Sequence, residues 1–175
     1  MPSPPASWRA ASSCSERGVR ELVFVLEFRG HAAADADGKR RAKTIAPSQA
    51  LTTVLRAGGV HAEAKAVDGE RAVLESTVER FPDGTFVEDG TITYGSAGTI
   101  TFVTVGRGTV MPAPIEGWTS GAVIWTVTSG AGAFRGATGL ITSNFTVSAR
   151  GEVIDHHVAR LYLPETSGVV KTMRR

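Results

Sequence analysis

Thr126–Pro164 reads TVTSGAGAFRGATGLITSNFTVSARGEVIDHHVARLYLP. Its first third, Ser129–Gly139, is a glycine-punctuated turn. Small residues stand there wherever the backbone must bend or take a positive φ. One aromatic, Phe134, is kept inside the turn and is suited to plug the end of a sheet. Two strand-like runs follow, Leu140–Val147 and Glu152–Leu163, and Pro164 stops the second. In that second run the odd positions Val153, Asp155, His157, Ala159, Leu161 and Leu163 read as core toward the C-terminal end. The even positions Ile154, His156, Val158, Arg160 and Tyr162 take the other face, because successive strand side chains point to opposite sides.

The same rhythm extends through the rest of the chain. Val19–Gly30 places Leu22, Phe24, Leu26 and Phe28 on one parity, a mostly buried strand. His31–Pro47 reads as a polar, turn-rich segment with a turn at Asp37–Gly38. Ser48–Arg56 fits a strand or a short helix, and Val60–Val67 fits a strand. Asp68–Gly69 is a hairpin signal. Arg71–Phe81 and Thr85–Tyr94 are strands around a Pro82–Asp83–Gly84 turn, the second with a bulge expected at Gly90. Thr99–Val110 is a strand with a bend near Gly106 and Gly108. Met111–Gly117 reads as a proline-containing crossover before the strand Ala122–Thr128.

Eight or nine short strands joined by tight turns, with no long helical pattern, imply an all-β chain of antiparallel neighbours. An exposed sheet edge is an aggregation hazard, and closure removes it. The expected fold is therefore an antiparallel closed β-barrel of about eight strands. Two stacked open sheets fit the same pattern. The barrel domain is expected over 19–166, after a disordered or loosely packed N-terminal arm at 1–18 and before a tail at 167–175.

Composition narrows the function classes. The chain has 175 residues, a length that suits one domain with a sizeable core. Its formal net charge of +2 is too small to argue for nucleic acid. The one basic cluster, Lys39–Arg40–Arg41–Ala42–Lys43, fits a solvated loop or, alternatively, a contact with an anion or partner. A single cysteine, Cys14, excludes an intrachain disulfide and a multi-cysteine metal site. No apolar run approaches the ~20 residues that a membrane-spanning helix needs. The first 18 residues lack the apolar core of a secretory signal, so a cytoplasmic location is the expectation.

From Gly130 onward the chain resembles the allene oxide cyclase-like and dirigent-like barrels, which carry a G-x-G-x-F-x-G-A-x-G turn between two strands. Here that turn stands as Gly130, Gly132, Phe134, Gly136, Ala137 and Gly139. The match is local to the last third of the chain. The resemblance implies a barrel that encloses a hydrophobic small molecule, as a cofactor-free cyclase or isomerase of secondary metabolism. It equally admits a non-catalytic lipophile carrier, or a structural oligomer with a filled barrel. It implies no metal and no organic cofactor, and it leaves room for a homo-oligomer, dimer or trimer.

Candidate site residues are polar groups that could face inward beside apolar neighbours. Glu75 and Glu79 share a face with Val73, Thr77 and Phe81, where a carboxyl would be a general acid or base. The competing reading leaves that face in solvent and makes Ala72, Leu74 and Val78 the core. His61 and Glu63, two apart, are either a proton-transfer pair beside a ligand or an exposed ion pair. Asp155 and His157 form a carboxylate–imidazole pair for catalysis, or a satisfied structural histidine. Asn144 could donate to a ligand carbonyl, or bond to backbone at a strand edge. Trp125 is a stacking platform or plain core, and Trp118 could cap a barrel mouth. Glu75, Asp155 and His157 are thus the catalytic candidates; His61, Glu63, Glu79, Trp125, Asn144 and Trp118 are the ligand-contact candidates.

Overall fold

The computed structural model describes residues 18–165. The expected arm through residue 17, with Cys14, and the tail at 167–175 lie outside the described residues. The strands are β1 (Val19–Ala34), β2 (Arg40–Ala46), β3 (Gln49–Arg56), β4 (Gly59–Ala66), β5 (Ala72–Arg80) and β6 (Thr85–Tyr94). They continue as β7 (Gly98–Thr104), β8 (Gly108–Pro112), β9 (Trp118–Gly130), β10 (Thr138–Ser148) and β11 (Glu152–Pro164). Neighbours run β10–β11–β1–β2–β5–β6–β7–β9, all antiparallel, and a β9–β10 ladder closes the ring. This is a closed barrel of eight staves. β8 continues the stave that β7 begins, bonding β9 and the first residues of β6.

Alternation sorts the side chains. β11 is the cleanest case: every odd residue from Val153 to Leu163 is buried, and each residue between them is partly or fully exposed. Phe28, Phe86, Phe102, Trp125, Ile92, Ile100, Ile141 and Leu161 fill the interior and are almost wholly out of water. Phe102 stacks on Trp125 with ring centroids 4.3 Å apart. One end of the barrel is plugged. The Gly132–Phe134 turn folds Phe134 inward, where its ring meets Tyr94 at 5.1 Å. Gly132 has φ +64°, a conformation that disfavours any side chain. The glycine pattern of this turn therefore serves to set a lid.

Several local expectations change. The segment 31–47 is not a loop, because β1 runs on to Ala34 and β2 occupies Arg40–Ala46. β2 hid because its inward residues are Arg40, Ala42, Thr44 and Ala46, which make no apolar alternation. Ser48–Arg56 resolves as strand rather than helix. Gly90 carries no bulge, since the β5–β6 register runs unbroken through Ser76 and Gly90. A Cβ at Gly90 would lie 2.4 Å from the Glu75 carbonyl oxygen, so close strand approach is what requires glycine. The register irregularity falls instead at Thr101/Phe102, against β9. Met111–Gly117 is not a crossover but the tight turn of the β8–β9 hairpin, closed by Ala113 N–H donating to Trp118 O at 3.0 Å. Asp68–Gly69 does not join paired strands: β4 pairs with β3, and β5 pairs with β2 and β6.

β3 and β4 form a separate two-stranded ribbon that leaves the barrel at its plugged end, between β2 and β5. Nearly all of its residues are exposed.

If Phe134 seals the barrel, Phe134→Ala should cost about 3 kcal/mol of unfolding free energy, the usual scale for emptying a buried aromatic site. Urea denaturation measures it. A loss close to zero would show that the lid is not part of the core.

Candidate functional site

The other end of the barrel is open. The turns at 35–39, 81–84, 113–117 and 149–151 frame its mouth. Below them lies a cup lined by Arg40, Thr44, Arg80, Glu88 and Asp155 among Leu74, Val78, Phe86, Val110 and Phe145. The cup holds about 50 Å³, or about 530 Å³ with its solvent-facing mouth included.

Two carboxyls face this cup from opposite walls. Glu88 comes from β6, in phase with Phe86, Ile92 and Tyr94, and is 8% exposed. Ser76 of β5 donates its hydroxyl to Glu88 Oε1 at 2.5 Å. Burial pushes the Glu88 carboxyl up to about 8, because a charge there is stripped of water, and the nearby Asp155 carboxylate adds to the rise. The Ser76 hydrogen bond only partly offsets this. The Trp125 indole N–H also favours the ionised form, yet it makes no hydrogen bond of normal geometry. At neutral pH Glu88 is mostly protonated, so it can donate a hydrogen bond or a proton.

Asp155 belongs to a second set. Ser143 of β10 donates its hydroxyl to Asp155 Oδ1 at 2.7 Å, and His157 Nε2 lies 2.8 Å from Oδ2. A carboxylate oxygen only accepts, so Nε2 carries the proton. His157 Nδ1 is buried and without a partner. The ring is held between Phe28, 4.4 Å away by centroid, and the Trp125 edge at 4.9 Å. The packing fixes the ring's orientation, and the Asp155 hydrogen bond sets which nitrogen faces the carboxylate.

The remaining sequence candidates are dispersed. Glu75 and Glu79 are on the outer wall, where they pair with Lys43 (2.9 Å) and Lys39 (3.3 Å). Their face is the solvated one, and Ala72 and Leu74 are core. His61 and Glu63 stand on the exposed ribbon, which leaves the barrel at the end opposite the cup, with Glu63 bridged to Lys65 at 3.3 Å. Asn144 points outward from β10 and is exposed. Trp118 sits near the mouth but on the outer wall, where it lines a surface groove with Ile115 and Ile154. Trp125 is fully buried, stacked on Phe102 and lying beneath the cup rather than lining it. Of the nine candidates, the structure brings together Asp155, His157 and Trp125.

Sequence reading missed Glu88, Ser76, Ser143, Thr44 and Arg80, and named Arg40 only within the basic cluster Lys39–Lys43, with an anion contact as its alternative. Glu88 alone left a readable signal, a charge in phase with three apolar residues of its strand. The serines and Thr44 carry no such mark.

Among the described residues, no three His, Cys, Asp or Glu are grouped to hold a metal ion, and no helix is long and apolar enough to cross a membrane. No protein-family model matches the chain. No curated protein matches it either. Among solved structures the chain is similar to the pterocarpan synthase dirigent protein GePTS1, at 12% identity, with 91% of this chain and 100% of that chain covered and a TM-score of 0.34. That protein is named a dirigent protein, not an allene oxide cyclase. No chemistry follows from a likeness of that size.

Glu88 gives the site a pH signature. Its folded pKa of about 8 lies above the ordinary value of 4.5, so the folded protein holds a proton that the unfolded chain releases. Its contribution is fully present below about pH 4.5 and is lost as pH rises through about 8. Glu88→Gln keeps the shape and removes the titration. Relative to E88Q, the wild type should lose on the order of 3 kcal/mol between pH 5 and pH 9. Paired urea melts check this, and parallel pH profiles would show that Glu88 titrates normally.

Proposed function

We propose that the barrel takes one small, largely apolar molecule at its open end and acts on it as a cofactor-free cyclase or isomerase. The observation that carries this reading is the pair of buried carboxyl systems on one cup, Glu88–Ser76 and Asp155–Ser143/His157. Their environments differ, and a difference of that kind lets one group give a proton while another receives one. Glu88 would protonate or polarise an oxygen of the guest. Asp155, steadied by Ser143 and His157, would accept a proton or stabilise developing positive charge. Phe86, Phe145, Leu74 and Val110 would hold the carbon skeleton in a folded shape, so orientation supplies much of the rate.

The size of the cup supports a second reading. Ligand sites commonly measure ~300–1,000 Å³, and this cup holds about 50 Å³. A guest must displace the arginine side chains at the mouth or enter only partway. If neither happens, the barrel is a filled structural element.

The reaction class predicts its own signature, because cyclisation and isomerisation leave mass unchanged. A small-molecule extract from the protein's host, incubated with it, should lose one compound and gain another of equal mass by liquid chromatography–mass spectrometry. E88Q and Asp155→Asn should each slow that conversion at least ~100-fold, the scale of a lost general acid or base. A ligand retained in native mass spectra with no conversion would favour the carrier. Neither a ligand nor a conversion would favour the filled barrel.

A further inference from the structure

We propose that Arg40 and Arg80 form a clamp at the cup's mouth for a compact oxyanion, a carboxylate or phosphate borne by the guest. This rests on reading the cup as a ligand site, and it names the guest's chemical class.

The clamp follows from how the pleat divides the basic run Lys39–Lys43. Three of its cations face outward and each meets an acid: Lys39 with Glu79 at 3.3 Å, Arg41 with Asp35 at 2.7 Å, Lys43 with Glu75 at 2.9 Å. Arg40 has the opposite parity and lines the cup. Arg80 joins it from the end of β5. Among the described residues neither guanidinium has an ion-pair partner. Two unpaired like charges repel, and Arg80 feels this: burial and the Arg40 charge both lower its pKa. An oxyanion between them would relieve that repulsion and match two guanidinium forks.

The carboxyls of the same cup do not take that role. Glu88 is held protonated by burial and is bonded to Ser76. Asp155 is engaged by Ser143 and His157. Thr44, four residues along β2 from Arg40 and fully buried, lies deeper in the same cup with a hydroxyl that has no partner. The described chain enters and leaves at the plugged end, where Val19 pairs with Pro164, so the mouth faces away from both.

Benzoate, phenyl phosphate and benzyl alcohol test the clamp, because they share a ring and differ in charge. Each is titrated into ¹⁵N-labelled protein while the amides of Arg40, Thr44, Val78, Glu88 and Asp155 are followed. Benzoate or phenyl phosphate should bind at least ~10-fold more tightly than benzyl alcohol, the scale of a charge-assisted hydrogen bond. The better of the two identifies the head group. The R40Q/R80Q double variant should lose that preference and keep its affinity for benzyl alcohol, and Arg41→Gln should change nothing. Because the pair repels, R40Q/R80Q should melt no lower than wild type, which separates lost binding from lost fold. Equal binding of the three probes, or an anion preference that survives R40Q/R80Q, overturns the clamp and leaves the cup intact. Failure of all three to shift any cup amide overturns the cup reading as well.

Discussion

A closed barrel leaves each strand residue only two places, the lumen or the outer wall. Two-residue alternation decides between them, and closure removes any edge at which the pattern could slip unnoticed. A one-residue shift of β11 would expel Val153, Ala159, Leu161 and Leu163 and draw in Arg160 and Tyr162. The same rule that builds the core therefore builds the site. Asp155 and His157 are inside because they share parity with those apolar residues, and their burial is enforced by neighbours that have nothing to do with chemistry.

The lumen is divided along its length. Near the plugged end it is apolar and packed: Phe134 and Tyr94 close it, and Phe102 stacks on Trp125 above them. Toward the mouth the polar groups appear: the Asp155–His157 pair, Glu88 and the arginines. Polar groups buried without partners cost stability, so their concentration near water is the cheaper arrangement. Most are bonded within the protein: Ser76 serves Glu88, and Ser143 serves Asp155. Among the described residues, the fully buried side-chain atoms without a partner are the Thr44 hydroxyl, the Trp125 indole N–H and His157 Nδ1.

The architecture was legible from the chain because it rests on periodicity. All four of Val19–Gly30, Arg71–Phe81, Thr85–Tyr94 and Glu152–Leu163 are strands, and the inward parity read for the first and the last is kept, whereas Arg71–Phe81 fitted either face and its Glu75 and Glu79 turn outward. β2 was not legible, since a strand lining a polar mouth has no apolar face to show. The site was legible only where a polar residue broke an apolar row. Asp155 and His157 do so among Val153, Ala159 and Leu161. Glu88 does so beside Phe86 and Ile92, yet Glu75, with Val73 and Thr77 as neighbours, imitates the same signal from the outer wall. What separates them is the partner strands. Glu75 looks across to Lys43, while Glu88 is bonded to Ser76 beneath a roof of Phe86 and Phe145. No single strand contains that information.

The small volume of the cup and its high density of charge are linked. Closing eight staves around large aromatics leaves little room, so a guest gains less from apolar contact than it would in a wide lumen. Affinity must then come from directed interactions, and those are strong where water is scarce. A protonated carboxyl at the floor and cations at the rim form an axis along which a polar molecule has one favoured direction. A purely apolar guest would have no such preference, and its stereochemical outcome would depend on shape alone. On the proposed reading, Glu88, Asp155, Arg40 and Arg80 would orient a guest by its head group, which storing a lipid does not require.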